Sequence, residues 1–379
     1  MKKIVFFLVG WFLTLNAFAE NGVSTSEIIL GQTAALTGPA EQLGNGMKAG
    51  LTACFDAVNE KGGVNGREIR LVSLDDGYEP EKAIANTYEL IQKEKVFMLI
   101  GAVGTPTANA VLPIIDQEKI PLFAPFTGAE SLRTPFQKHV INIRGSYYQE
   151  MNAIAAYLTE TRNMKNIACL YQNDSYGMAG LAGIENALKK KNMSLSAKGS
   201  YERNTIAIKS ALMEIKRAEP EAVVMVGAYK PCAEFIKLAK KVGMKETLYC
   251  NISFVGTDAL RRELGDAGDG VMISQVVRFP WDERVALVKE YQADMKQFQP
   301  AWPVGFVSLE GYMAGRLFLE ALSAVKGDLT RQSFIDTIEK QGSFDIGGIP
   351  LSFSPEDHQG LDEIYLTVIK NGEIHQLEK

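Results

Sequence analysis

Short apolar runs alternate along this chain with longer segments whose apolar positions recur every third or fourth residue. The first pair is EIILGQTAA, a buried-strand run, followed by GMKAGLTACFDAVNEKGG. In the latter, Met47, Leu51, Cys54, Phe55 and Val58 share one helical face, and Gly62 and Gly63 stop the helix. REIRLVSLDD predicts a strand. EPEKAIANTYELIQKEK predicts a helix with Pro80 near its first turn, where a missing N–H costs nothing. VFMLIG, a helix from about Pro106 to Glu118, and IPLFAPF complete a βαβαβαβ series. Apolar strands separated by helices predict a parallel sheet covered on both faces.

The series then restarts. A helix from about Tyr147 to Thr161 leads to the strand NIACLYQND, the helix GMAGLAGIENALKKK, the strand SLSAKGSY and a helix from about Ile206 to Arg217. EAVVMVGAY, CAEFIKLAKKVG and TLYCNISFVG extend this second unit, and GVMISQVV adds a strand. Two longer helices, roughly Glu283 to Gln297 and Phe306 to Val325, precede a shorter one near Gln332 to Glu339 and the strands IPLSF and EIYLTVIKNGEI. The fold class is α/β, with two similar doubly wound parallel-sheet lobes. No low-complexity tether separates them, and INIRGSYYQ and MISQVVRFPWD read as connections between lobes.

Composition changes this picture at the N-terminus. MKK, the apolar IVFFLVGWFLTL and an A-x-A pattern at Ala17 and Ala19 form a secretory signal, with cleavage predicted between Ala19 and Glu20. Its apolar core is too short to span a membrane, and residue 20 is not the Cys of a lipid anchor. Losing nineteen residues removes Lys2 and Lys3 and no acid, moving the formal charge from −5 to −7. A mildly acidic exported chain without basic runs fits neither nucleic acid nor membrane insertion. His139, His358 and His375 lie far apart and no C-x-x-C occurs, so neither zinc nor another cofactor is expected. Cys54 and Cys169 read as small core residues, whereas Cys232 and Cys250 are candidates for a disulfide.

Ligands of open α/β sheets sit outside the C-terminal ends of the strands. The loops there are TAALTGPAEQLG, GAVGTPTANA and APFTGAESLR in the first unit, and YQNDSYGMAG, GAYKPCAEF and CNISFVGTD in the second. They are rich in Gly, Ser, Thr and Tyr and poor in charge, which describes a cleft for a small polar molecule. GAVGTPTANA lacks both the phosphate-loop Lys and the dinucleotide glycine pattern. Its hydroxyls and N–H groups suit a carboxylate, or else form a plain βα turn.

These loops carry a resemblance. The chain is similar to the type I periplasmic binding proteins of the Leu/Ile/Val-binding family, the solute receptors of ABC transporters. TAALTGPAEQLGNGMKAGLTACFDAVNEKGGVNGREIRLVSLDD resembles that family's first unit, and FTGAESLR, YQNDSYGMAG and VGAYKPCAEF follow in order. The resemblance implies a multi-strand hinge between lobe 1 (20–144 plus 279–346) and lobe 2 (145–278 plus 347–379). It implies an amino-acid ligand whose carboxylate meets Thr105, with contacts from Phe126, Thr127, Gly128, Tyr176 and Tyr229 and with Leu43 over its side chain. The family's ammonium-binding Glu falls where this chain has Ser253 and Phe254, so an amino acid and a carboxylate without an ammonium both stay open. The family's N-lobe disulfide positions match Gly77 and Gly104.

Each of these residues also has a plainer reading. Thr105 could cap a helix, Phe126 could be core, and the two Tyr could be loop aromatics. Asp75 and Asp76 read as a strand-end turn, Glu130 as a solvated acid, and PEDHQG as an exposed turn. Neither a nucleophile elbow nor a convergent acid pair is visible, so an enzyme is not expected. The function expected is an exported monomeric binding protein that closes about its hinge and delivers a small molecule to an ABC permease. The alternative is a binding protein that presents its occupied form to a membrane receptor or sensor kinase.

Overall fold

β1 (Glu27–Ala34), β2 (Glu68–Asp75), β3 (Met98–Ile100), β4 (Leu122–Phe123) and β5 (Val140–Ile141) form an all-parallel sheet in the order β2-β1-β3-β4-β5. The computed structural model describes residues 20–377, so the export signal lies outside the described residues. α1 (Glu41–Asn59), α2 (Pro80–Gln92) and α3 (Thr105–Glu118) connect these strands. Pro80 occupies the first turn of α2 as its sequence position dictates. β5 is only two residues long, and its second residue, Ile141, opens the INIRGSYYQ segment read from the sequence as a connection.

The second sheet has the order β14-β13-β10-β9-β8-β6-β7. β6 (Ile167–Gln172), β7 (Ala197–Tyr201), β8 (Ala222–Val226), β9 (Leu248–Asn251) and β10 (Met272–Gln275) are parallel. β13 (Tyr365–Lys370) and β14 (Glu373–Gln376) add an antiparallel hairpin. Asn371 and Gly372, both at positive φ, make its two-residue turn, the pairing that Asn-Gly favours. α4 (Tyr147–Ala156), α5 (Ser175–Lys189), α6 (Lys209–Arg217), α7 (Tyr229–Lys241) and α8 (Thr257–Leu264) cover this sheet. A single π-helical turn at Tyr157–Thr161 extends α4. α8 had no counterpart in the sequence reading: its TDALRREL buries only Thr257, Ala259, Leu260 and Leu264.

After β10 the chain returns to the first sheet. α9 (Ala286–Phe298), α10 (Phe306–Ala324) and α11 (Arg331–Gln341) share a core with Leu51, Phe55, Phe123 and Ile141. The hairpin of β11 (Ser343–Asp345) and β12 (Pro350–Ser352) buries Phe344 and Leu351 in that same core, so the boundary at 347 falls inside the hairpin. Three segments join the lobes: 142–146, 276–285 and 353–364. The first and third run side by side, with Asn142 N donating to His358 O at 2.8 Å and Gly360 N to Asn142 O at 2.9 Å.

Two expectations are corrected here. Cys232 and Cys250 do not pair, and all four cysteines are free and buried. The Cys232 side chain lies against Gly227, whereas the Cys250 sulfur sits 4.0 Å from that of Met272. Pro355, Glu356 and Asp357 form the exposed turn expected of PEDHQG, but His358 beside it is buried, with Nδ1 3.1 Å from Val140 O and Nε2 3.1 Å from Glu339. Burying that ring helps fix the hinge segment.

Candidate functional site

Strand ends from both sheets bring their loops together, and the wall from the first sheet is a row of donors. Thr105 opens α3, whose N-terminus has no side-chain cap. Its hydroxyl lies 2.7 Å from that of Thr127, which is 3.2 Å from the Tyr147 hydroxyl. All three side chains are buried. Burial pushes the Tyr147 phenol up to about 12, which keeps it a neutral donor at ordinary pH. Gly128 allows this approach, because a Cβ there would lie 2.6 Å from the Tyr147 ring. Its carbonyl accepts from Tyr147 N at 2.7 Å. An uncapped helix start next to hydroxyl donors is a ready place for an anion.

Facing it is an aromatic cluster to which Phe254 and Tyr176 of the second sheet contribute alongside Tyr78 and Phe126 of the first. Phe254, in the loop after β9, meets Tyr176 with 4.4 Å between ring centroids, Phe126 at 5.3 Å and Tyr78 at 6.0 Å. Tyr176 also meets Tyr147 at 5.5 Å. These five rings are fully buried and come from loops of both sheets. The N-terminal donors of α5 are occupied: the Asp174 carboxylate accepts from Tyr176 N at 3.0 Å and Gly177 N at 3.2 Å.

Between the walls sits a buried charge cluster. Arg144, in the first hinge segment, donates from Nη1 to Glu310 of α10 at 3.3 Å. Its Nη2 reaches Glu150 of α4 at 3.4 Å and the Ser253 hydroxyl. Its guanidinium lies 4.9 Å from the Phe126 ring centroid, close enough for a cation–π contact. Burial opposes the Arg144 charge, but Glu310 and Glu150 outweigh it and hold the pKa above the usual guanidinium value. Burial pushes Glu310 up, against the pull of Arg144. Glu150 accepts from Ser253 N at 2.8 Å, Ser253 Oγ at 3.0 Å and Ser274 Oγ at 2.5 Å.

A second set of contacts closes the rim. Glu79 accepts from Arg203 Nη2 at 2.7 Å and Asn204 Nδ2 at 2.7 Å, and Gln172 Nε2 donates to Tyr78 at 3.4 Å. Asp75 and Asp76 form the strand-end turn read from the sequence. Asp75 accepts from Leu36 N at 2.8 Å and Gly77 N at 2.9 Å, and Asp76 accepts from Thr33 at 2.9 Å and Tyr78 N at 2.8 Å. Burial pushes Asp76 up to about 6 against those bonds.

Thr105, Phe126, Thr127, Gly128, Tyr176, Ser253 and Phe254 therefore belong to one connected buried cluster between the two sheets. Leu43 lies at its edge, where only a glycine fits opposite: a Cβ on Gly256 would be 2.5 Å from Leu43 Cδ2. Tyr229 stands apart from the ring cluster, beside Glu41 and Gln42, with its hydroxyl buried and unpartnered. Sequence reasoning missed Tyr78, Arg144, Tyr147, Glu150 and Glu310. One signal was available: Glu310 lies between Phe306, Val307, Met313 and Ala314 on an apolar helical face, where an acid needs a buried partner.

A family model described as periplasmic binding protein matches residues 27–373. The Leu-, Ile-, Val-, Thr- and Ala-binding protein of Pseudomonas aeruginosa is 20% identical over 303 residues, covering 80% of this chain and 79% of that protein. The solved structure of a possible leucine/isoleucine/valine-binding protein from Rhodopirellula baltica is 36% identical with TM-score 0.89, covering 96% of this chain and 98% of that one. A solute-binding protein of Rhodopseudomonas palustris (R. palustris), solved in complex with benzoate, shares the fold at 24% identity and TM-score 0.81, covering 93% of this chain and 96% of that one.

Proposed function

The chain belongs to the periplasmic binding protein family, and from that premise we propose that it is the solute-binding component of an ABC importer. It captures a small amino acid or related carboxylate between its lobes in the periplasm and delivers it to a membrane permease. Members of the family bind solutes rather than transform them. The observation that carries the reading is the convergence of Thr105, Thr127 and Arg144 with Tyr176 and Phe254 from the opposite sheet. Relatives named for leucine, isoleucine and valine support a ligand of this size and charge.

The mechanism follows from where the contacts lie. Opening the hinge at 142–146, 276–285 and 353–364 parts the rings and breaks the Glu79–Arg203 contact. A ligand carboxylate held by the Thr105 wall gains its remaining contacts only when the aromatic wall arrives, so it shifts the population toward closure. The closed shape is what a permease recognises. Cleavage between Ala19 and Glu20 would release the mature chain.

Mass spectrometry of the molecule that co-purifies with the chain identifies the ligand. X-ray scattering of the stripped chain before and after its return then tests the mechanism. The radius of gyration is expected to fall on binding. An unchanged value at saturation would contradict hinge closure.

A further inference from the structure

The buried charge cluster has one donor left over. Arg144 Nη1 and Nη2 are engaged by Glu310, Glu150 and Ser253, but Nε is buried without a hydrogen-bond partner. A buried N–H that is never paired carries a large desolvation penalty. The guanidinium faces Phe126, and Phe126 faces Phe254, so the group that carries the unpaired donor borders the ring cluster between the two sheets.

Each carboxylate around the ring cluster already accepts at least one donor. Glu150 accepts from Ser253 N, Ser253 Oγ, Ser274 Oγ and Arg144. Glu310 meets Arg144, Asp76 holds Thr33 and Tyr78 N, and Asp174 caps α5. Asp258 accepts from Phe306 N at 3.3 Å and is pressed against Gly305. The β9 loop, which carries Phe254 into the ring cluster, offers Ser253 and Phe254 and no acid. Each of these carboxylates already faces a donor, whereas Arg144 Nε has no acceptor; the unpartnered buried acceptors on the same segments, Asn142 Oδ1 and Asn251 Oδ1, are neutral amide oxygens. A desolvated ammonium would find no acid, whereas an anion would meet Arg144, Thr105, Thr127 and Tyr147.

We propose that the cleft selects a carboxylate with an apolar body and no ammonium group, and that Arg144 Nε is the donor that determines this specificity. The apolar body packs among Tyr78, Phe126, Tyr176 and Phe254. The inference rests on the interlobe cleft being the binding site, as proposed above.

The test is a thermal-shift panel on the full mature chain after its bound molecule has been stripped. It pairs 3-phenylpropanoate with phenylalanine and 4-methylpentanoate with leucine. The expected result is a raised melting midpoint with at least one acid and none with its amino-acid partner. Arg144→Lys keeps a cation between the two glutamates but removes Nε. It should weaken the acid that binds by roughly tenfold or more in calorimetry. If that variant fails to fold, the panel on the unaltered chain still decides the ligand class. Stabilisation by the amino acids would overturn the inference while leaving the cleft as the site. An acid that binds equally well to the wild type, Arg144→Lys and Phe254→Ala would overturn both. No shift with either acid would overturn the ligand class proposed here.

Discussion

The two walls of the cleft differ in how their polar groups are spent. On the first sheet's side, α3 begins without a side-chain cap, and the hydroxyls of Thr105 and Thr127 pair mainly with each other and with Tyr147. On the second sheet's side, Asp174 fills the start of α5 and Glu150 holds both the N–H and the hydroxyl of Ser253. Hydroxyls paired mainly with one another can turn toward a ligand at less cost than a carboxylate that holds four donors. In the function proposed above, the donor wall takes hold of an anion and the aromatic wall covers it.

The comparison predicts where substitutions hurt the fold and where they hurt only binding. Glu150→Ala should have the largest effect on stability. It strands Ser253 N, Ser274 and one side of Arg144 in a dry interior, at a cost of about 3 kcal/mol, read from the urea midpoint. Asp174→Ala should cost about 1 kcal/mol, because it uncaps α5. No matching loss is available at α3, which has no cap to remove.

A pH experiment sharpens the same contrast on the first sheet's side. The Asp76 carboxyl is raised by burial from 3.8 to about 6, so the folded chain holds its proton more tightly than the unfolded chain does. In that window the native state binds more protons, and stability falls as pH rises. Wild type should therefore lose stability relative to Asp76→Asn between pH 3.8 and about 6. Melting midpoints of both chains across that range check the sign, and a parallel pair of curves would contradict it.

The smallest effect is expected at the rim. Arg203 and Glu79 are partly exposed, so Glu79→Gln should change global stability by about 0.5 kcal/mol or less, and by less still at high salt. Because the pair joins the lobes, its loss should appear instead as a faster release of bound ligand.

Much of this architecture was legible in the chain because parallel strands announce themselves as unbroken apolar runs. EIILGQTAA became β1, EAVVMVGAY became β8, and Gly62 and Gly63 followed the end of α1. Two elements were not legible for opposite reasons. β5 is too short to show a period, and α8 is too polar to show an apolar stripe. The loops that form the cleft could be located from strand ends, but the charge at its centre could not. Arg144 stands in INIRGSYY with no pattern around it, and only tertiary packing makes it buried. Tyr147, expected at the start of a helix, and Tyr78, between a strand and a helix, carry no sequence signal for the ring contacts that the two sheets bring about.

The claim that both walls grip one ligand is tested most directly by calorimetry of the co-purifying molecule against Thr105→Ala and Tyr176→Ala, one substitution in each wall. The account predicts that each variant folds and that each lowers affinity by roughly ten- to a hundredfold. Two folded variants that bind as tightly as the wild type would place the ligand elsewhere and contradict it.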